Sequence, residues 1–374
     1  MRFSVIFAGI VSIILCGCRG SGKADSKIVL NGDTITSEAK YLRMVDCGEW
    51  TAVEITVPWN DSIPTGRYAI IHPETDRVDL PGGFTPIHAP VGRAVVFSSI
   101  YTAAIEELGR INSVKGVADA EYIPGEDSVA ILLKEGKVAD IGSSMAPLVE
   151  KVIDLEPDAV LLSPYAGVGS TGLERTGIPL IWMADYLETS PLGRSEWILL
   201  LGELFGENEK AQNIYKNSKE TYNRIQKSAS TGDYLPKVIT EKPMSGVWYV
   251  PGGKSYIAKM IQDAGGSYVW ADKDESGSIS LDEAAVIDRG VDADIWLIKD
   301  IKPITASGLL KELPRAKGLA PYPEKVYACN TIETPYYRAI AFHPEIVLAD
   351  IAAIFHPSLF PNHQFKFYRN INDE

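Results

Sequence analysis

Little in this sequence is spaced for covalent chemistry. Gly252-Gly253-Lys254-Ser255 ends as a phosphate-binding loop ends, but the first glycine of G-x-x-x-x-G-K-S/T falls at Trp248. Gly167-Val168-Gly169 is an isolated pair, and no Gly-x-Ser-x-Gly elbow occurs to expose a nucleophile. A bare-metal site needs several His and carboxylate ligands converging on one ion. The chain has five His and no His-rich loop, and His72 and His88 sit close to prolines as loop residues do. No resident cofactor or metal is expected. What the sequence does repeat is aromatic and basic side chains just beyond short apolar runs: Tyr101, Tyr165, Tyr186, Trp248, Tyr249, Lys254, and Tyr336-Tyr337-Arg338. Aromatic faces suit a large flat or apolar ligand, and Arg or Lys suits its carboxylates or phosphates. The chemistry on offer is recognition.

Short strands and helices must position these residues. Ala94–Ser98 reads as a strand that turns through Ser98-Ser99-Ile100-Tyr101 into a helix over 102–108, stopped by Gly109. Val114–Val117 is a strand, 119–137 a loop, 147–155 a helix and Ala159–Leu162 a strand running into Ser163-Pro164-Tyr165. A further strand covers 178–183, and a helix over 196–205 stops at Gly206. After residue 230 the same order recurs. Strands fall at 237–240, 247–250, 268–270, 294–298 and 326–329, with helices at 256–264, 282–289 and 346–355. Alternation of this kind predicts parallel sheets, whose ligands bind beyond the carboxyl ends of the strands.

The two halves match in detail. Leu148-Val149-Glu150-Lys151-Val152-Ile153-Asp154-Leu155-Glu156-Pro157-Asp158-Ala159-Val160 is echoed by Leu281-Asp282-Glu283-Ala284-Ala285-Val286-Ile287 and its continuation to Ile295. Such a repeat predicts two lobes of like fold. Between them, 207–230 contains no Gly or Pro and carries Ala211, Ile214, Tyr215, Tyr222 and Ile225 on one helical face. As a helix it spans roughly 36 Å at about 1.5 Å per residue. The expected fold class is α/β: two Rossmann-like lobes (91–206 and 231–374) joined by one long helix, 207–230. Residues 28–90 precede them as a β-rich extension, with strand-like alternation at 52–57 and 68–71 and many Pro and Gly breaks. It is read as antiparallel and offers no candidate site.

The chain opens with Met1-Arg2 and an apolar run over 3–15, of signal-peptide rather than membrane-spanning length. It carries 36 basic and 49 acidic residues without a basic cluster, which argues against nucleic acid as a partner. Cys47 and Cys329 are either two free thiols or one long-range disulfide, which an exported compartment permits.

In sum of motifs and order, the chain resembles the periplasmic substrate-binding proteins of ABC importers for iron-siderophore complexes, vitamin B12 and heme. Leu155-Glu156-Pro157-Asp158-Ala159-Val160 resembles that family's most repeated helix-to-strand junction. Leu15-Cys16-Gly17-Cys18 resembles a lipobox, which implies a signal peptide over 1–17, lipidation of Cys18 and a tether over 18–27. Gly193-Arg194-Ser195-Glu196-Trp197 and the ending Ile354-Phe355-His356-Pro357-Ser358-Leu359-Phe360-Pro361 resemble the lipoprotein form found in Bacteroides-like organisms. The resemblance implies a monomer held to the periplasmic side of a bacterial membrane by lipid alone. Its partners would be an ABC permease dimer, the associated ATPase and a metal chelate, with a ferric siderophore first, cobalamin next and heme third. A heme would be held by a tyrosine such as Tyr101 or Tyr165. One carboxylate per lobe would pair with permease arginines: Glu150 on the first, and Glu283 or its neighbour Asp282 on the second. A surface scavenger lipoprotein and an enzyme on the same fold are the rival classes.

Overall fold

The computed structural model describes residues 30–372 apart from 60–64, 74, 76–77, 126 and 166–170. The signal peptide, Cys18 and the tether therefore lie outside the described residues. Five strands come first: β1 Asp33–Thr34, β2 Leu42–Asp46, β3 Trp50–Ile55, β4 Gly66–Ile71 and β5 Thr85–His88. They form one sheet in chain order, antiparallel until β4 and β5, which run parallel. One face of this sheet presents Met44, Val53, Ile55, Tyr68 and Ile70, which share a core with the lobe that follows. The other face buries Val45, Trp50, Ala52, Ala69 and Phe84 in a small cluster of its own. The alternation in β3 thus serves two cores, and the extension is built into the first lobe.

The first lobe runs β6 Ala94–Val96, α1 Ser99–Glu107, β7 Val114–Val117, α2 Ser128–Lys134, β8 Ala139–Asp140, the hairpin β9 Gly142–Ser143 with β10 Ala146–Pro147, α3 Val149–Asp154, β11 Ala159–Leu162 and β12 Leu180–Trp182. Its sheet is parallel in the order β12-β11-β6-β7-β8. The stretch read as a loop over 119–137 holds α2, which Asp127 caps by accepting the Val129 N–H. Two short helices, α4 Pro191–Ser195 and α5 Ile198–Phe205, lead to the long α6, Asn208–Ala229. Gly206 adopts φ 69° between α5 and α6, a left-handed turn that a side chain would strain. The apolar stripe of α6 buries Ala211 and Tyr215 with the first lobe and Tyr222 and Ala229 with the second, so one helix serves both cores.

The second lobe contains β13 Lys237–Thr240, β14 Pro243–Met244, β15 Val247–Pro251, α7 Tyr256–Asp263, β16 Ser267–Tyr268, β17 Ser278–Leu281, α8 Glu283–Gly290, β18 Ile295–Asp300, α9 Ala306–Glu312, β19 Val326–Asn330, α10 Tyr336–Phe342, α11 Pro344–Phe355 and β20 Tyr368–Asn370. Its sheet orders β16-β13-β18-β19-β20, parallel except for β20. The strand expected at 247–250 lies outside it, in an antiparallel sheet of β14, β15 and β17. Cys47 and Cys329 are both free thiols.

α10 crosses between the lobes. Its Tyr336, Ala339 and Ile340 belong to the second core, while Ala341 and Phe342 pack into the first. Arg338 pairs with Asp127, and His343 approaches Glu107 of α1 at 2.8 Å.

Candidate functional site

In each lobe the strand order reverses direction once: between β6 and β11 in the first, and between β13 and β18 in the second. Loops leaving the carboxyl ends of such strands diverge and leave a crevice. β6 ends at Phe97 and Ser98, β11 at Ser163-Pro164-Tyr165, β13 at Glu241 and Lys242, and β18 at Lys299, Asp300 and Ile301. Residues from all four ends line one continuous groove. A cleft of about 840 Å3 between the lobes takes Tyr186, Leu187 and Arg194 from the first and Glu241, Tyr249, Tyr256, Lys299, Tyr336 and Tyr337 from the second. Tyr186 and Arg194 also line the next section, about 330 Å3, over the first lobe's strand ends.

The floor between the lobes is a buried charged set. Tyr101 donates to Asp185 Oδ1 at 2.6 Å, and Arg194 Nε to Asp185 Oδ2 at 3.0 Å. The Arg194 guanidinium carbon lies 4.8 Å from the ring centre of Tyr256 on the opposite lobe, a cation–π contact across the cleft. Burial, followed by the Asp185 charge, lifts the Tyr101 hydroxyl well above the usual phenol range, so it stays protonated and donates to Asp185 while its oxygen lies 3.1 Å from Ser163 Oγ. Burial works against the Arg194 charge, but Tyr256 and Asp185 more than offset it. On the second lobe Lys299 pairs with Glu241 and stands 5.9 Å from the Tyr336 ring centre. Burial would depress its ammonium, and the Glu241 carboxylate instead raises it above the ordinary lysine range. Lys242 is held by Asp300 at 2.9 Å and Glu312 at 2.5 Å. Arg194, Lys242 and Lys299 are thus each matched by a carboxylate.

Of the nine expected wall residues, Tyr186, Tyr249, Tyr336 and Tyr337 line the cleft. Tyr101 and Tyr165 line the adjoining section. Tyr165 and Tyr186 meet with ring centres 5.7 Å apart, and Tyr186 donates to the Pro164 carbonyl. Three residues lie elsewhere. Trp248 has no exposed surface; it packs on Trp296 and donates its indole N–H to the Thr240 carbonyl at 3.0 Å. Neighbours along a strand face opposite ways, so Trp248 is core because Tyr249 faces the cleft. Lys254 sits on the surface beside Asp274, 2.7 Å away. Arg338 points from α10 toward Asp127 at the rear of the molecule. Arg194, Tyr256, Glu241 and Lys299 were missed. The signal for Arg194 was available in the 193–197 motif, whereas Glu241 and Lys299 end strands that read as plain core.

That motif has a structural account. Glu196, almost fully buried, accepts the backbone N–H groups of Ser37, Glu38 and Ala39 at 2.7–3.0 Å. Glu188 accepts those of Lys40 and Tyr41, both at 2.9 Å, and the Trp197 indole N–H at 3.0 Å. Burial pushes the Glu188 carboxyl up against these bonds. A Cβ on Gly193 would come within 2.8 Å of the Glu38 carbonyl, so only glycine lets the 37–41 turn dock. Gly193, Arg194, Glu196 and Trp197 together fix the extension and the cleft floor. Of the carboxylates expected to dock, Glu150 is exposed in the first turn of α3, and Glu283 lies 3.7 Å from Arg315. Asp282 is the N-cap of α8 and accepts the Ala285 N–H at 2.8 Å.

The family model described as a periplasmic binding protein matches residues 95–312. A lipoprotein of Methanocaldococcus jannaschii is 26% identical over 312 residues, covering 81% of this chain and 74% of its own. A Bacillus subtilis protein named an ABC transporter substrate-binding lipoprotein is 27% identical over 192 residues, 50% of this chain and 57% of its own. Among solved structures, a protein of an ABC-type Fe3+-hydroxamate transport system from Saccharomonospora viridis superposes with TM-score 0.53 at 22% identity, over 71% of this chain and 93% of that one. The periplasmic heme-binding protein HutB of Vibrio cholerae gives 0.54 at 14% identity, over 73% and 99%. These likenesses show the fold.

Proposed function

The chain belongs to the periplasmic binding protein family, and from that premise we propose that it is the substrate-binding lipoprotein of an ABC importer for a large metal chelate. The observation that carries the reading is the inter-lobe cleft of about 840 Å3, walled by Tyr186, Tyr249, Tyr256, Tyr336 and Tyr337. A volume of that size with aromatic walls, and with charged groups such as Glu241, Lys242 and Lys299 along it, suits a bulky ligand that offers both flat apolar and polar surface. A ferric siderophore is the first choice, cobalamin the second and heme the third. The names of structural neighbours, one from an Fe3+-hydroxamate transport system and one a heme-binding protein, support the siderophore and heme members of this range. Tyr165 and Tyr186 extend the wall onto the first lobe, and Arg194 supplies the cleft's guanidinium.

In this reading the mature chain begins at Cys18, is anchored by its lipid and works as a monomer outside the cytoplasm. No helix among the described residues is long and apolar enough to cross a membrane. Loaded protein docks on the permease dimer, whose ATPase drives uptake, through Glu150 on one lobe and Glu283 on the other. The capping bond of Asp282 favours Glu283 over it.

Titration of the purified chain with a ferric trihydroxamate, cyanocobalamin and hemin tests the reading. One of them binds, and Tyr249→Ala or Tyr337→Ala weakens it. Binding of none of the three overturns the chelate assignment. For docking, Glu150→Ala combined with Glu283→Ala lowers uptake and leaves affinity intact; equal loss of both would make these carboxylates structural.

A further inference from the structure

The groove does not stop at the first lobe's strand ends. Past Tyr165 it enters a pocket of about 190 Å3 that the β-rich extension closes from outside. Trp59 and Thr65 come from the extension; Leu162, Tyr165, Trp182 and Met145 come from the lobe. Phe97, Ser144, Ser163 and Tyr165 line both this pocket and the adjoining section of the groove. The extension wall is fixed in place. The Tyr68 hydroxyl on β4 donates to the Leu180 carbonyl at 2.6 Å and accepts the Trp182 N–H at 3.2 Å. Thr65 donates its backbone N–H to the Ile55 carbonyl at 2.7 Å.

Two features of this pocket are those of a binding site rather than of a packing defect. Trp59 is 46% exposed and belongs to no core cluster, so it offers an apolar face that the fold itself does not use, and Tyr165, 51% exposed, keeps surface open beside its contact with Tyr186. The Thr65 hydroxyl is buried with no hydrogen-bond partner among the described residues. A buried hydroxyl of this kind is costly to leave unpaired, so the site favours a guest that can pair with it.

We propose that the extension builds an accessory binding pocket for a flat, neutral, apolar or aromatic group of one or two rings. Volume sets the size: a cavity of roughly 150 Å3 lined by apolar side chains takes benzene. Charge sets the neutrality. Glu174 is the charged residue among the described lining, and its carboxylate already accepts from Thr171 N at 3.2 Å and Oγ1 at 3.4 Å. An anionic ring would lie against this carboxylate and be repelled by its charge. Thr65 Oγ1 gives the guest one polar anchor. The assignment goes beyond the importer reading, because two of the pocket's walls, Trp59 and Thr65, come from outside the 95–312 match and the guest needs no metal.

5-Fluoroindole, followed by its 19F signal against the full mature chain, is the probe. It binds saturably, and Trp59→Ala weakens it at least tenfold while Trp59→Phe retains most of the affinity, as expected for an aromatic contact plus lost burial. Tyr249→Ala, in the inter-lobe cleft, leaves it unchanged. Tyr165→Ala repeats the loss should Trp59→Ala fold poorly by circular dichroism. Absence of saturable binding, equal affinity in Trp59→Ala and Tyr165→Ala, or equal loss in Tyr249→Ala each overturns the proposal. Failure of the chelate titrations leaves it standing.

Discussion

Arg194→Met tests whether the cleft floor is held by charge pairing or by packing. Methionine keeps most of the stem and removes the guanidinium. Asp185 is 1% exposed and Arg194 3%, so solvent offers neither ion an alternative. At 3.0 Å the Nε donates directly to Asp185 Oδ2, leaving the Tyr101 hydroxyl at 2.6 Å as the carboxylate's remaining strong donor. Coulomb attraction at 4 Å is about 4 kcal/mol for an effective dielectric of 20. Removal of one member of a buried pair costs about 3–5 kcal/mol, because the other charge is left uncompensated. Arg194→Met therefore loses about 3–5 kcal/mol, and so does Asp185→Asn for the mirror-image reason. The double variant, with neither charge, regains at least half of what either single change loses. Urea unfolding, read by tryptophan fluorescence and by far-UV circular dichroism so that separate lobe transitions show, measures all four proteins. A double variant no more stable than the worse single one would refute the argument, since the loss would then be packing alone.

Four further outcomes follow from the same structure. Contacts with Glu107 and Glu345 raise the His343 imidazolium to about 10, so its contribution to stability is complete below the unfolded value near 6.5 and is lost as pH rises through about 10. Melting curves between pH 6 and 10.5 show that decline in the wild type and a flatter profile in His343→Gln. Trp248→Ala costs about 3–5 kcal/mol as a core cavity, whereas Tyr249→Ala alters chelate affinity with little change in melting temperature. Burial pushes the Cys329 thiol up to about 11, so in the native chain it resists a thiol reagent that labels it fully in urea, and reductant leaves the melting temperature unchanged. Small-angle scattering gives nearly the same radius of gyration for empty and chelate-loaded protein; a large contraction would contradict the rear bracing.

What the sequence revealed depended on whether one local pattern decided the outcome. The long helix was legible because its apolar stripe persists over six turns without a breaker, and it forms over Asn208–Ala229. The strand at Lys237–Thr240 was legible because it is short, apolar and followed by polar residues. The parallel sheets followed from the alternation itself. Wall residues were harder, because facing depends on register and on which sheet a strand joins. Tyr249 and Trp248 are adjacent on β15, so no register could place both in the cleft. On α10, Tyr336 and Tyr337 face the cleft at its first turn, and Arg338 has rotated toward the other lobe. α2 was lost in a segment with many polar residues, although Asp127 before Ser128 is a fair cap. Residues 28–90 gave no site because Trp59 gains meaning only when Tyr68 docks on β12, a contact between residues more than a hundred positions apart.

The rear of the molecule bears on how the cleft works. A single unbroken helix already resists bending, since sharp bends need Pro, a Gly pair or a bulge. α6 is not alone. Phe342 and Ala341 reach from the second lobe into the first lobe's core, so opening the lobes would expose apolar surface. Arg338 with Asp127, and His343 with Glu107, place ion pairs on the same side. Arg194 against Tyr256 holds the lobes together at the cleft floor itself. Wide closure would have to break all of these contacts, and the ligand would have to supply that free energy from its own binding. A preassembled cleft avoids the cost, so affinity comes from fit to walls already in place. Under the proposed function selectivity then resides in the side chains of the cleft walls, and the extension, fastened by Glu188 and Glu196, braces the first lobe beside them.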